Sequence, residues 1–414
     1  MTTTTASINA GIKPNRLFLL SCISLVVTAM TFAIRAGILG QLNEQLGLSD
    51  TQLGWVNGMA FLGFPLAMVV FGFLYNYLGA RLIMILAFVG HLLGLVLTMT
   101  AGGFVGLLVS TFFIGFANGS VEAACNPMIA EMYKDQKTKW LNRFHVWFPG
   151  GIVIGALVSK VMTDAGMGWE PQIGIMIIPT VIYGFMVFTT KFPTSESANQ
   201  APFRGARLRD ILLLLAMMGI MTITATSELG TQQWVERILG SSGASPMLIL
   251  AMVTGLMAVG RYFAGPVIHT LNPFGVLLMS AVLTTLGLFL MSQASGGMVY
   301  VSAIVFALGV CYFWPTMIGF VGEYIPRTGA LGMSLVGAAG MFALTFWNPV
   351  IGGWIDSARE VAVASGATGD AIEVAAGRGA LTKLVYFPVS LILFFGLLFV
   401  LRNKITATTG ETEI

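Results

Sequence analysis

Apolar residues in this chain come in long runs, broken by short polar or Gly/Pro-rich stretches. A helix needs about twenty apolar residues to cross a bilayer core of ~30 Å. Twelve runs meet that length: 17–42, 52–78, 80–100, 103–132, 143–165 and 170–191, then 209–237, 243–271, 273–294, 297–325, 328–357 and 379–402. The pattern predicts an all-α membrane protein with twelve transmembrane helices. Several runs exceed the minimum, which implies tilt or extension beyond the hydrocarbon. The Ala/Gly-rich stretch 358–378, with mixed charges, reads as a mobile or only partly helical outer loop.

The runs fall into two sets of six. Residues 192–208, rich in Ser, Pro, Ala and Arg, read as a cytoplasmic linker between a six-helix bundle over 1–191 and another over 209–414. A shift of 193 places Arg35-Ala36-Gly37 on Glu228-Leu229-Gly230, each with a threonine four residues earlier, Thr31 or Thr224. The same shift places Gly72–Asn76 on Gly265–His269. Two landmarks at one offset are the mark of an internal repeat, a common feature of transporter folds.

Composition and charge refine this picture. Hydrophobic residues make up 56% of the 414 and charged residues 9%, against about 25% charged in a soluble domain. The 50 glycines suit helices that approach closely inside a membrane. Cys22, Cys125 and Cys311 are scattered through apolar runs, so neither a disulfide framework nor a CxxC metal site is expected. With the N-terminus inside, fifteen Lys and Arg residues fall on the cytoplasmic side, Lys134, Lys137, Lys139, Arg204 and Arg261 among them, and five fall outside. That asymmetry predicts cytoplasmic termini and, in a bacterium, an inner-membrane protein. No cleaved leader is expected, because Met1–Asn15 leads into a full-length span without an A-x-A-like site.

Three segments carry a family resemblance. Gly72-Phe73-Leu74-Tyr75-Asn76-Tyr77-Leu78-Gly79-Ala80-Arg81 resembles the loop signature of the major facilitator superfamily, with Asn76 in place of the usual acid. Its second glycine permits a turn at positive φ, and its cation can meet helix C-terminal carbonyls or a partner acid across the seam between the halves. Val121-Glu122-Ala123-Ala124-Cys125-Asn126-Pro127 resembles the Glu-x-Ala-x-Asn-Pro segment of the fucose permease branch of sugar:cation symporters. Leu141–His145, Pro149-Gly150-Gly151 and Glu228–Trp234 are similar to further segments of that branch. The resemblance implies the major facilitator fold of two pseudo-symmetric six-helix bundles, and secondary transport by alternating access. The branch carries an acid near Arg35 that this sequence lacks.

Charges inside spans are the candidates for ion coupling, because each must be neutralised, paired or wetted. Asn118, Glu122 and Asn126 repeat every four residues and share a helical face, which reads as cavity lining or as hydrogen-bonded helix–helix glue. Glu228 lies one turn before Gln232 and is either a second coupling acid or an interfacial one. Arg35 is the only cation well inside a run. Equal spacing from Arg16 and from Arg209 sets Arg35 and Glu228 at matching depth, so an ion pair or a jointly lined cavity is expected, with snorkelling of Arg35 as the alternative.

Amide and aromatic side chains suit sugar hydroxyls and C–H faces. Asn57, Asn118, Asn126, His145, Trp147, Gln232, Gln233, Trp234, Tyr312, Trp314, Trp347 and Asn348 are the candidate substrate contacts. His91 reads as a packing histidine. Phosphate-loop, metalloprotease and nucleophile-elbow motifs are absent, so neither an enzyme nor a cofactor is expected. The expected function is proton- or sodium-coupled symport of a sugar or small polar sugar derivative. An anionic substrate held by Arg35 is the alternative, and a drug or lipid exporter ranks below it. Its partners would be the solute, a coupling cation and membrane lipids, with no nucleic acid, and the protein would act as a monomer.

Overall fold

The computed structural model describes residues 12–133, 140, 143–193 and 206–410. Lys134, Lys137, Lys139, Leu141, Asn142, Arg204 and most of the connection 192–208 lie outside the described residues. Among the described residues every regular element is helical. Eleven helices among the described residues are long and apolar enough to cross a membrane, and a shorter apolar helix covers Pro246–Tyr262. The protein is an all-α, multi-pass membrane protein. Side chains such as Leu393 and Val400, both 74% exposed, make sense only against lipid, since water would penalise that apolar surface.

The chain divides into two compact units, Met1–Leu48 with Val56–Gln200 and Ser49–Trp55 with Ala201–Ile414. In the first unit, α1 (Pro14–Gly37) begins with proline at a position where no backbone donor is needed. It is followed by the short α2 (Leu39–Leu46). Next comes α3 (Asp50–Met99), which holds two candidate spans and leaves helical geometry at Gly79 (φ 69°, ψ 161°). Then follow α4 (Phe104–Met132), α5 (Trp147–Asp164), α6 (Trp169–Gly174) and α7 (Ile177–Thr189). Glycines let these helices touch backbone to backbone. A Cβ on Gly115 would lie 2.1 Å from the Ala60 carbonyl oxygen, and one on Gly119 would lie 2.1 Å from that of Phe64.

The second unit holds α8 (Leu208–Ala225), a π-helical turn at Thr226–Gly230 and α9 (Val235–Leu239). After these come α10 (Pro246–Tyr262), α11 (Ala264–Gln293), α12 (Gly297–Val310) and α13 (Phe313–Tyr324). The unit closes with α14 (Gly329–Ala364), α15 (Asp370–Leu384) and α16 (Tyr386–Gly410). Helix α11 breaks at Asn272 (φ 52°, ψ 167°). Asn272 follows Gly79 by 272 − 79 = 193 residues, the offset of the sequence repeat, and adopts nearly the same backbone angles.

Three expectations need correction. The stretch 358–378 is helical over most of its length: α14 continues to Ala364, a short turn uses Gly366 and Gly369 at positive φ, and α15 resumes at Asp370. Arg359 of α14 clamps Glu373 of α15 across that turn at 2.8 and 3.0 Å, which orders a sequence that composition alone reads as loose. The first run ends at Gly37 rather than 42, because Ile38 leaves helical geometry. Arg261, counted with cytoplasmic loop cations, lies in the last turn of α10 and points back into its unit.

Candidate functional site

Within the first unit, the polar residues of α4 face two ways. Asn118, fully buried, accepts a hydrogen bond from His91 Nε2 (2.7 Å) and donates to Thr31 Oγ1 (2.9 Å). The Tyr183 hydroxyl closes the far end of this chain by donating to His91 Nδ1 (2.8 Å). Both nitrogens of His91 are therefore engaged, as suits a packing histidine. One turn on, Glu122 is 8% exposed and accepts a hydrogen bond from Asn126 Nδ2 (2.7 Å). Asn126 Oδ1 lies 3.1 Å from His145 Nε2, and that nitrogen is 3.9 Å from Glu122 Oε2. Glu122, Asn126 and His145 thus form one cluster, while Asn118 belongs to a separate buried network. Trp147, two residues beyond His145, is 44% exposed.

Arg35, in the last turn of α1, is only 4% exposed. Its guanidinium lies 5.2 Å from the Phe32 ring centroid and 5.8 Å from that of Phe61, within range of a cation–π attraction. It does not snorkel. Asn57 stands one helical turn before Phe61, fully buried, and neither polar atom of its side chain is hydrogen-bonded among the described residues. The cation of the loop signature meets the first of its two expected partners: Arg81 Nη2 donates to the carbonyl of Phe188 near the end of α7, at 3.5 Å.

Within the second unit, Glu228 sits on the π-helical turn, 5% exposed. Its cation partner there is Arg261, at 3.4 Å. Arg261 also donates to the Cys311 carbonyl (2.9 Å), beside Tyr312, whose hydroxyl donates to the Gly260 carbonyl (3.1 Å). Gln232 contacts Met257 Sδ at 3.5 Å, and Gln233 is buried beside it in sequence. Glu228, Gln232 and Tyr312 therefore surround the end of α10. Trp234 donates its indole N–H to Asn348 Oδ1 (3.0 Å), and Asn348 donates to the Leu344 carbonyl (2.7 Å), with both side chains fully buried. Trp347 packs edge-on against Phe387 (4.7 Å) and beside Trp354, and Trp314 is half-buried on α13.

Sequence reasoning missed two features. Arg261 lies inside the apolar run 243–271 rather than at its end, and that position was the available signal. The second feature is an ion cluster around Asp50, which is fully buried. Asp50 takes Arg237 (2.7 Å) and Arg359 (2.8 Å), while Asp356 receives the backbone N–H groups of Asp50 and Thr51. The Arg237 guanidinium is held further toward its charged form by the Asp50 carboxylate, which outweighs the cost of burial. Ser49 and Gln52 complete the helix start as a capping box, each side chain serving the other's backbone N–H. No composition cue links residues so far apart in sequence.

The model of the Major Facilitator Superfamily matches residues 21–272, more than half of the chain. The chain belongs to the major facilitator superfamily. Among curated relatives of this superfamily member is a probable nitrate/nitrite antiporter, NarK1, of Thermus thermophilus. It is 25% identical over 370 residues, covering 77% of this chain and 83% of that protein. Solved structures show the same fold. A D-xylose–proton symporter superposes with a TM-score of 0.74 at 15% identity, over 89% of this chain and 97% of the other. A variant of the nucleoside transporter NupG reaches 0.75 at 12% identity, over 93% and 99%. The superfamily member described here is a transporter and not an enzyme.

Proposed function

We propose that this protein is a proton-coupled symporter of a sugar or small polar sugar derivative, working by alternating access, with sodium as the other candidate cation. The observation that carries the reading is Glu122, a nearly buried carboxylate within a span whose neighbours are an amide and a histidine. Such a carboxylate is stable in the membrane when it can be neutralised, and a carrier that must cross with and without its cation needs a group of that kind. Glu228, held by Arg261, is the second coupling candidate. Gln232 and Tyr312 near it, and Asn126 and His145 near Glu122, are the amide and ring groups best placed for a polar solute. Trp234 and Asn348 satisfy one another, so their role is to hold the second unit's helices together. The likeness to a D-xylose–proton symporter is in keeping with this substrate class.

A second reading rests on Arg35 and the unbonded amide of Asn57. A guanidinium set beside two aromatic rings suits a carboxylate or another planar oxyanion, which it can grip with two parallel hydrogen bonds. The relative named as a nitrate/nitrite antiporter is in keeping with that alternative. We further assign both termini to the cytoplasm and the protein to an inner membrane, acting as a monomer.

A thermal-shift screen of sugars and sugar acids on solubilised protein identifies the substrate through ligand stabilisation. With that substrate in proteoliposomes, Glu122→Gln should abolish gradient-driven uptake and leave counterflow exchange intact. Unchanged uphill uptake would end the coupling assignment. Arg35→Lys should cost most of the affinity only if the substrate is anionic, because an ammonium lacks the two-pronged geometry.

A further inference from the structure

We propose that His145 is the proton-delivery residue for Glu122, passing a proton through its two ring nitrogens while Asn126 holds both partners in line. This deepens the proton-coupled reading above, on which it rests for its role in transport.

The geometry sets the direction of every bond. Asn126 Nδ2 donates to Glu122 Oε2 at 2.7 Å, so the other end of the amide, Oδ1, is an acceptor. His145 Nε2, 3.1 Å from Oδ1, must therefore carry its hydrogen. Nδ1 is left as the basic nitrogen of the ring. The histidine side chain is 45% exposed, whereas that of Glu122 is 10% exposed. One member of the pair is nearly half exposed and the other is sheltered, 3.9 Å from it.

The step balances without another reactant. Water delivers a proton to Nδ1, forming imidazolium. The Nε2–H bond then breaks as an O–H bond forms on Glu122 Oε2, leaving neutral imidazole protonated at Nδ1 and a neutral carboxyl group. Closing 3.9 Å to hydrogen-bond distance requires Asn126 to release one partner, since its amide now bonds to both. Return of the proton from Glu122 to Nε2 regenerates imidazolium, and loss of the Nδ1 proton to water restores the starting tautomer. Other titratable groups near this corner are Cys125, beside Glu122, with Cys22, Tyr75 and Tyr183 in turn close to Cys125, Tyr133 close to Cys22 and Glu131 bonded to Tyr75; Arg143 stands two residues before His145. Arg143 lies over the Trp140 ring at 5.1 Å. Both thiols are buried, and among the described residues none of these groups is hydrogen-bonded to the pair.

The test is a pH jump on the full chain in detergent, followed by time-resolved infrared spectroscopy of the protonated-carboxyl stretch; no substrate is required. The Glu122 band is identified by its disappearance in Glu122→Gln. In His145→Gln the final band amplitude should match wild type while its rise slows about tenfold or more, the scale of a positioned proton donor. Free imidazole in the buffer should restore the rate, which a purely structural role for His145 would not allow. An unchanged rate in His145→Gln, a slowed rate that imidazole leaves slow, or the absence of any Glu122-dependent band would overturn the proposal. If the relay holds but Glu122→Gln still drives uphill uptake, symport through Glu122 fails and the relay stands. An unchanged rate with uptake lost in Glu122→Gln removes the relay alone.

Discussion

Gly115→Ala adds a single methyl group at the tightest crossing in the first unit. The new Cβ would stand 2.1 Å from the Ala60 oxygen and 2.7 Å from the Ala60 carbonyl carbon and Cα. All three are backbone atoms, so no side chain can swing away. Ordinary contact begins near 3.4 Å, so α4 and the first half of α3 must part by at least about 3.4 − 2.1 = 1.3 Å at this point. A gap of ~0.5–1 Å already forfeits a quarter to a half of a dispersion contact. The same seam carries Gly119 against Phe64 and Gly63 against Phe112, so the loss extends beyond one residue. Overpacking of this kind costs about 1–3 kcal/mol, and the rigid surroundings place Gly115→Ala at the upper end. The assay is thermal unfolding of the purified full chain in detergent, with Gly219→Ala as the control. Gly219 lies inside α8 with open space at its missing Cβ, so alanine there should be neutral or stabilise by up to about 1 kcal/mol through helix propensity. A Gly115→Ala midpoint equal to wild type would refute the close-approach argument. An equal loss in Gly219→Ala would show that the effect is not about that crossing.

Two further predictions use the same unfolding assay. Asp50→Asn removes the fully buried carboxylate that Arg237 and Arg359 share and should destabilise by about 3–5 kcal/mol; adding Arg359→Met should cost less than the sum of the two single changes, and strict additivity would show that the cluster is not energetically coupled. Asn272→Gly should stabilise by about 1 kcal/mol, because φ 52° with ψ 167° is a conformation costing a non-glycine residue about 1–3 kcal/mol, and the exchange gives up only the 3.1 Å bond from Gly275 N–H to Asn272 Oδ1, itself worth about 0.5–1.5 kcal/mol. A lower midpoint would mean that this bond outweighs the strain.

Much of the candidate site was visible in the chain as residue types in unusual places. Glu122, Glu228 and Arg35 stand out because a charge in an apolar run needs a reason, whatever surrounds it. Their companions were less legible. Periodicity places Asn118 and Asn126 on the face of Glu122, yet Asn118 turns to His91 and Thr31 while Asn126 turns to His145. A shared face fixes a direction in space, and the neighbouring helix decides what is met there. Counting along Glu228 likewise assumed regular α-helix, and the π-helical turn at Thr226–Gly230 shifts the register just where the acid lies.

The sequence by itself determined that the chain spans a membrane many times, roughly where each span lies, and that Gly79 sits at a turn needing positive φ. These are local properties: a bilayer demands about twenty apolar residues from each segment, and a turn at positive φ demands a residue that tolerates it. Only the tertiary structure decided that Glu228 takes Arg261, that Asp50 gathers arginines 187 and 309 residues away, that Trp234 and Asn348 complete each other, and that 370–384 is a helix. Those outcomes depend on which helices lie side by side. Apolar faces pack on many partners at similar cost, whereas a buried charge or amide accepts only the one arrangement that satisfies it.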